Sequence, residues 1–504
     1  MRFGWINWGV LAVFILGTTL AGHILSRKGK GLEGFFLGGN GLPWWAVSAS
    51  IMASQLSAVT IIALPGAIFK TGGTLLFMQG TLIGFVIAKF LMVVLFVKPY
   101  YEKKIYSPYD FIENRLGSHA SHLSRGLFLI SAIIGHGIRL LTVALVLSVV
   151  VNIPIGISVL VIGIFAVLWT LMGGVTTVIW TDFILFILML GGAIFSLVFI
   201  FNELPFGLGE AIRQLDAAAK LKLIDISTDP AKTWTIWTCI FCFTIFELAQ
   251  NSVDQVITQR MMCCKNAHEA KKAVLGSLGI VLFSSLMAAV GLGIWLFYQH
   301  MPLSPEHTAF LAEQPSRAYP FFVIHQLPVG ISGLIIAGIF AAGISTLDSA
   351  LAALSETTVN GYYRKWINPG ASEKKILRIS RISVVIWGLL LSGLAYLAGT
   401  LVQNEGLLNL AYKAPVVTYG PMLMIALCAL LRRGNFRSML LGSVVAVATS
   451  VLLLVLKARG IIDFDQFWIY PITCVVFAAV ALLMGVARTG TDRHRRALTG
   501  TDEH

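Results

Sequence analysis

An all-α, polytopic membrane protein is the fold class this sequence predicts, and three observations predict it. Of the 504 residues, 57% are hydrophobic and only 12% charged, with a mean hydropathy of +0.82. A soluble domain carries about 25% charged residues. Apolar runs recur along the whole chain, each about 20 residues long and so able to cross a hydrocarbon core of roughly 30 Å. The runs are continuous rather than alternating, so their backbone groups are satisfied in lipid as helices and not as a closed barrel.

The runs predict about thirteen transmembrane helices. The first, 6–25, follows no basic region beyond Arg2 and precedes no small-residue cleavage site, which makes it a span rather than a cleaved signal. The second, 44–69, is interrupted in character: Ser54, Gln55, Ser57 and Thr60 fill its middle, and Pro65-Gly66 weakens the helix further. A broken helix bares carbonyl oxygens, which suit a hard monovalent cation; small residues also let helices pack closely. Next come 74–97, with Gln79 near its start, and 123–151, with Arg139 at its centre. A guanidinium stays charged, so at mid-membrane Arg139 needs an acidic partner, such as Glu247, or an anionic ligand. Gln79 reads equally as a solute donor or as interhelical glue.

The runs 154–172 and 178–201 meet at Gly173-Gly174-Val-Thr-Thr-Val-Ile-Trp-Thr-Asp182. Asp182 lies just inside the second run, as a helix cap or as an intramembrane carboxylate. The runs 233–252 and 273–298 lead to 330–358, which holds Ala342, Ser345, Thr346, Asp348 and Ser349 in an otherwise apolar helix. Ser345 and Ser349 share a face, with Thr346 about 100° round. Hard cations favour such oxygen ligands; the alternative is hydroxyls bonded back to their own helix. The runs 379–400, 408–431, 438–457 and 466–487 complete the set.

The net charge of +13 is not a nucleic-acid signature, because most of the 37 Lys and Arg residues fall in alternate loops. That asymmetry predicts an inner-membrane protein with its N-terminus outside and its C-terminus in the cytoplasm. Arg125 and Arg260 are expected in the inward loops, and Lys89, Arg139 and Lys413 within the spans. Two outward loops are long, 202–232 and 299–328, the first with an amphipathic helix around Leu208–Leu221. The basic tail after Arg488 is expected to be irregular. Cys239, Cys242, Cys263, Cys264, Cys428 and Cys474 show neither metal spacing nor a disulfide framework. No nucleotide-binding motif argues for direct ATP drive.

Taken together, the Gly173–Asp182 stretch, Asp254-Gln-Val-Ile-Thr-Gln259-Arg260 and Ala341-Ala-Gly-Ile-Ser-Thr-Leu-Asp-Ser349 resemble the sodium:solute symporter family over nearly the whole chain. Leu185 departs from that family's usual Gln. The resemblance implies two inverted five-helix repeats, 44–201 and 202–432, flanked by an N-terminal extra span (1–43) and two accessory C-terminal spans with a tail (433–504). It implies one sodium ion held by the carbonyls of Ala53, Leu56 and Ala342 with the hydroxyls of Ser345 and Thr346. A second would use Asp182, Ser345, the Asp348 carbonyl and Ser349. The pattern is most similar to sialic acid symporters, which places Gln55, Ser57, Thr60, Gln79 and Arg139 around the solute, with Gln55 where those carriers have a smaller hydroxyl residue. The expected function is sodium-driven import of a small organic solute, an anionic sugar before a neutral sugar, polyol, amino acid or monocarboxylate. The expected partners are that solute and the lipid bilayer, with no nucleic acid and no obligate protein partner. A proton-driven carrier, a transporter-like sensor and a membrane enzyme are the competing classes; none of the scattered His residues forms a catalytic cluster.

Overall fold

The structure, a computed structural model, describes residues 4–26, 37–56, 58–103, 105–151, 153–401 and 415–499. Ser57, Lys413 and the start of the 408–431 run lie outside them. The described residues are mainly helical, with a long irregular connection between Ala217 and Thr238 and no named β-strand among them. Nine helical segments among them are long and apolar enough to cross a membrane, or ten when one bent pair is taken as a single span.

The N-terminal helix α1 spans Trp5–Ser26. The 44–69 run is two helices, α2 (Trp44–Gln55) and α3 (Ala58–Phe69), bent by 55° to one another. The break falls at Leu56, whose φ/ψ of −77°/70° leaves the helical region. It comes well before Pro65, which α3 accommodates. At this end of α2 the Gln55 side chain bonds across to Gln250, Asn251 and Lys89.

Helix α4 (Leu75–Tyr101) contains two π-helical turns. It leads through α5 (Pro108–Leu116) to α6 (Ser118–Val151). Helix α7 (Ile155–Glu203) carries two membrane-length apolar segments, Ile155–Met172 and Val175–Glu203. The 202–232 loop holds α8 (Leu208–Ala217), as its amphipathic pattern predicts. The next span is also interrupted: a π-helical turn (Thr238–Phe243) runs into α9 (Thr244–Ser252), and α10 (Gln255–Met261) starts after a two-residue gap. Asp254 caps α10 by accepting from the Val256 amide at 2.8 Å. At this break the freed carbonyls have partners: the Tyr100 hydroxyl donates to Ser252 O at 2.6 Å, and Tyr109 to Val253 O at 3.0 Å.

Helices α11 (Ala267–Gly276) and α12 (Gly279–His300) follow, and the 299–328 loop folds into α13 (Pro305–Glu313) and α14 (Ala318–His325). The axis of the bundle is α15 (Ile331–Thr358), in whose apolar window 94% of residues are buried, against 28% in the peripheral α18 (Phe436–Ala458). Between them lie α16 (Glu373–Leu401) and α17 (Tyr419–Leu431), and α19 (Ile469–Thr499) closes the chain. The basic stretch from Arg488 is helical rather than irregular, since its Ala, Leu and Arg residues are strong helix formers.

The polarity of this bundle is that of a protein immersed in lipid. On α16, Ile382, Ile386, Leu389, Leu390 and Leu397 recur at helical spacing and are all exposed, whereas Asp182, Arg260, Ser345 and Asp348 are buried. Apolar residues outside and polar residues within are stable only where the surroundings are hydrocarbon. Close approach along α3, beyond the break, depends on glycine: a Cβ on Gly66 would clash with the Pro315 carbonyl oxygen, and one on Gly291 would meet Pro65 Cα at 2.9 Å. Gly66→Ala is therefore expected to cost about 1–3 kcal/mol by overpacking against backbone. A lowered thermal unfolding midpoint in detergent is the check.

Candidate functional site

Where α2, α7, α10 and α15 meet, their polar side chains form one closed cluster. Asp182 lies fully buried inside the Val175–Glu203 segment, so it is not a helix cap. Its Oδ2 accepts from Ser50 Oγ at 2.5 Å, and its Oδ1 accepts from Ser345 Oγ. Arg260, 2% exposed, reaches the same carboxylate from α10 with Nη2–Oδ2 at 3.4 Å. It also donates from Nε to Ser50 at 2.9 Å, from Nη1 to Val256 O at 2.6 Å, and from Nη2 to Ser349 Oγ.

Placing Arg260 with the solvated loop charges was therefore incorrect. Arg125 needs the same correction: it is 1% exposed, inside α6, and bonded to Asp110 at 2.6 Å. The loop reading treats any charge beyond an apolar run as solvated. Here α10 turns back into the bundle after the break and carries its arginine with it. The signal was present in Asp182, since a carboxylate inside an apolar run needs a counter-charge.

On α15 the hydroxyls do bond back to their own helix. Thr346 Oγ1 donates to Ala342 O at 2.9 Å, and Ser349 Oγ donates to Ser345 O at 2.6 Å. Such a bond engages the hydroxyl hydrogen and leaves the oxygen lone pairs available as acceptors; that of Ser349 receives Arg260 Nη2. Asp348 accepts from Ser349 Oγ at 3.1 Å, and its carbonyl accepts from Thr170 at 3.4 Å. Helix α2 packs on α15, and Ala53, Leu56, Ala342, Ser345 and Thr346 are all buried. The carbonyls in the last turn of α2 lose their intrahelical donors where that helix stops, and its negative dipole end points into the bundle. Ser50, Asp182 and Ser345 thus tie α2, α7 and α15 together, and the residues of both expected cation sites lie on these helices or at the end of α2.

Beside this cluster lies a cavity lined by Gln55, Thr60, Arg139, His136, Glu247 and Asp254 among polar groups, and by Phe77, Phe85, Phe243, Phe246 and Tyr419 among rings. It mixes aromatic walls with a few convergent polar groups, the usual character of a small-molecule site. Asp254 Oδ2 accepts from the Tyr419 hydroxyl at 2.6 Å. Arg139 is half-buried, and among the described residues it has neither a hydrogen bond nor a carboxylate within 4.0 Å. Its expected pairing with Glu247 is not made. His136 is buried with Nδ1 unpartnered.

Of the five residues expected around a solute, the structure brings Gln55, Thr60 and Arg139 to this cavity, and Ser57 lies outside the described residues. Gln79 does not line it. Its Nε2 donates to Trp234 O at 3.0 Å and its Oε1 accepts from the Asp225 amide at 3.2 Å, so it pins the 202–232 loop. Glu247, Asp254 and His136 were not singled out for this site from the sequence, because each lies near a helix break or a span surface whose burial depends on the packing.

The sodium:solute symporter family matches residues 35–446 of this chain. A sodium/sialic acid symporter of Aliivibrio fischeri is 29% identical over 486 residues, covering 95% of this chain and 93% of its own. One from Proteus mirabilis is 26% identical over 477 residues, 92% of each chain. Among solved structures, the substrate-bound outward-open state of a Na+-coupled sialic acid symporter superposes with a TM-score of 0.83 at 23% identity, covering 96% of this chain and 98% of that one.

Proposed function

This chain belongs to the sodium:solute symporter family, multi-pass membrane carriers that couple solute movement to sodium, and we propose that its solute is an anionic sugar of the sialic acid class. One observation carries this reading: the half-buried Arg139 guanidinium lines the cavity with no hydrogen bond and no carboxylate oxygen within 4.0 Å among the described residues. Glu247 and Asp254 share the cavity wall with it but make no direct pair, so the guanidinium fork is open to a solute carboxylate, which it would hold by charge-assisted hydrogen bonds. The His136 ring, whose Nδ1 has no partner, provides with Gln55 and Thr60 hydrogen-bonding groups for hydroxyls on the same solute. The kinship with sialic acid symporters supports the choice of acid.

In this reading one sodium sits between the α2 carbonyls of Ala53 and Leu56 and the α15 groups of Ala342, Ser345 and Thr346. A second lies at Asp182, Ser345, Asp348 O and Ser349, sharing the Asp182 carboxylate with Arg260. Sodium binding joins α2 to α15, which favours the outward-open state and preorganises the cavity. The two ligands are therefore coupled reciprocally. Two sodium ions moving with one monoanion transfer a net +1, worth about 2.3 kcal/mol per 100 mV. The chain sits in the inner membrane with its N-terminus outside, and its interrupted helices α2/α3 and α9/α10 begin the two inverted repeats, 44–201 and 202–432.

Uptake of radiolabelled N-acetylneuraminate into proteoliposomes under an imposed sodium gradient tests this. Equal uptake with potassium throughout, or uptake that follows pH instead, would reject sodium drive. A carrier that takes up only neutral sugars would reject the solute. The variant Ser345→Ala with Thr346→Ala is expected to lower apparent sodium affinity at least about tenfold, or roughly 1.4 kcal/mol. An unchanged sodium activation curve would remove α15 from the ion site.

A further inference from the structure

Lys89 takes no part in the function described above, yet it is fully buried at mid-span in α4. Its Nζ donates to Asn251 Oδ1 at 2.6 Å and to Gln55 Oε1 at 3.2 Å, and it stands 4.8 Å from the centroid of the Phe85 ring. Gln55 is the last residue of α2, and Asn251 lies in the last turn of α9. The ammonium therefore sits between the two interrupted spans, at their breaks. Asn251 in turn donates from Nδ2 to Glu247 O at 2.7 Å and to Glu247 Oε2 at 3.2 Å. Gln55 Nε2 makes long bonds, both of 3.4 Å, to Gln250 Oε1 and Asn251 Oδ1.

A lysine buried among neutral amides, with no carboxylate oxygen within 4.0 Å among the described residues, is an expensive arrangement unless the charge itself is needed. What surrounds it is a set of carboxamide oxygens, an aromatic face and a carboxylate one hydrogen bond away. Oxygen donors with one nearby negative charge make an alkali-cation site. An ammonium is a compact point charge with three donors, able to stand in for such an ion.

We infer that Lys89 is a resident cation at the junction of the two broken spans, occupying with its own ammonium the place that an alkali ion would otherwise take between Gln55 and Asn251. The positive charge at this junction then belongs to the protein and stays in the membrane throughout the cycle. It balances Glu247 in the cavity wall, and the sodium ions that move are those held by α2, α7 and α15. Because Lys89 can only donate, it also fixes the Gln55 carboxamide with its oxygen turned inward and its NH₂ toward Gln250.

The test uses purified full-length protein and sodium alone, with no solute, so it is independent of the sugar-acid reading. The thermal unfolding midpoint is followed against sodium concentration at constant ionic strength, with choline as the replacement cation. A ligand that binds only the folded state raises stability with its concentration, more steeply the more ions bind. Lys89→Arg is expected to keep the wild-type slope. In Lys89→Ala the vacated oxygens take up an ion, and the slope steepens by the equivalent of about one additional sodium. Adding Glu247→Gln to Lys89→Ala removes the carboxylate that holds this ion and returns the wild-type slope. A Lys89→Ala slope equal to wild type overturns the inference. So does a steep slope that survives Glu247→Gln, or a Lys89→Ala protein that stays unfolded at high sodium, where an occupied site would restore it.

Discussion

Replacing Arg139 with Ala is expected to cost about 2–5 kcal/mol of sugar-acid binding, at least roughly a 30-fold rise in Kd, while leaving the protein as stable as before. The two halves of this expectation come from one geometry. Arg139 lines the cavity from α6 but makes no hydrogen bond and no ion pair within 4.0 Å among the described residues. Its removal therefore breaks no hydrogen bond or close ion pair among the described residues of the solute-free fold. With a carboxylate bound, the guanidinium forms a desolvated charge pair, and truncation strands the anion. Arg139→Lys keeps the charge but loses the planar fork, so it should fall between the two. Isothermal titration with N-acetylneuraminate, set beside unfolding midpoints, separates the effects. A variant that binds as tightly as wild type would leave the solute carboxylate without its partner. A variant that is much less stable would show that Arg139 is structural.

The largest stability loss is expected at Arg260. Its guanidinium joins four helices through Asp182, Ser50, Val256 O and Ser349, and both charges of the pair are buried. Arg260→Met removes one partner and leaves the Asp182 carboxylate in a low-dielectric core, at a cost of about 3–5 kcal/mol. Much of the variant should be lost before it reaches the membrane fraction. Arg260→Met combined with Asp182→Asn is expected to recover most of the stability, because a neutral pair no longer carries the desolvation penalty, but not sodium-coupled uptake. Fluorescence-detected size exclusion of the three variants reads this directly. Equal monodispersity of Arg260→Met and wild type would mean that the pair is not coupled.

The overall architecture was legible because membrane burial leaves a one-dimensional trace. Twenty apolar residues must be a helix in lipid, and a Ser-Thr-Asp-Ser run inside one has few inexpensive explanations. The motifs at Asp182, Arg260 and Ser345 carried the family in the same way. The break at Leu56 was legible as a weakness in the 44–69 run, although it falls beside the polar residues Ser54 and Gln55 and not at Pro65. The second break, at Val253–Asp254, was not read from the residues themselves. What stabilises it is Tyr100 and Tyr109, 152 and 144 residues earlier in the chain than the carbonyls they bond, and no local pattern reports a partner at that distance.

By itself the sequence determined the helices, their apolar outer faces and the small set of polar residues that must lie inside. Those follow from hydropathy and from the cost of polar groups in hydrocarbon, both properties of single residues or short windows. The tertiary structure alone decided which polar groups meet. It brought Arg260 into the core beside Asp182, turned Gln79 away to a loop, left Arg139 open to the cavity and set Lys89 between two broken helices. The reason is that a charge's effect depends on what stands within a few ångströms in three dimensions, and the chain brings those neighbours together from positions as distant as α2 and α15.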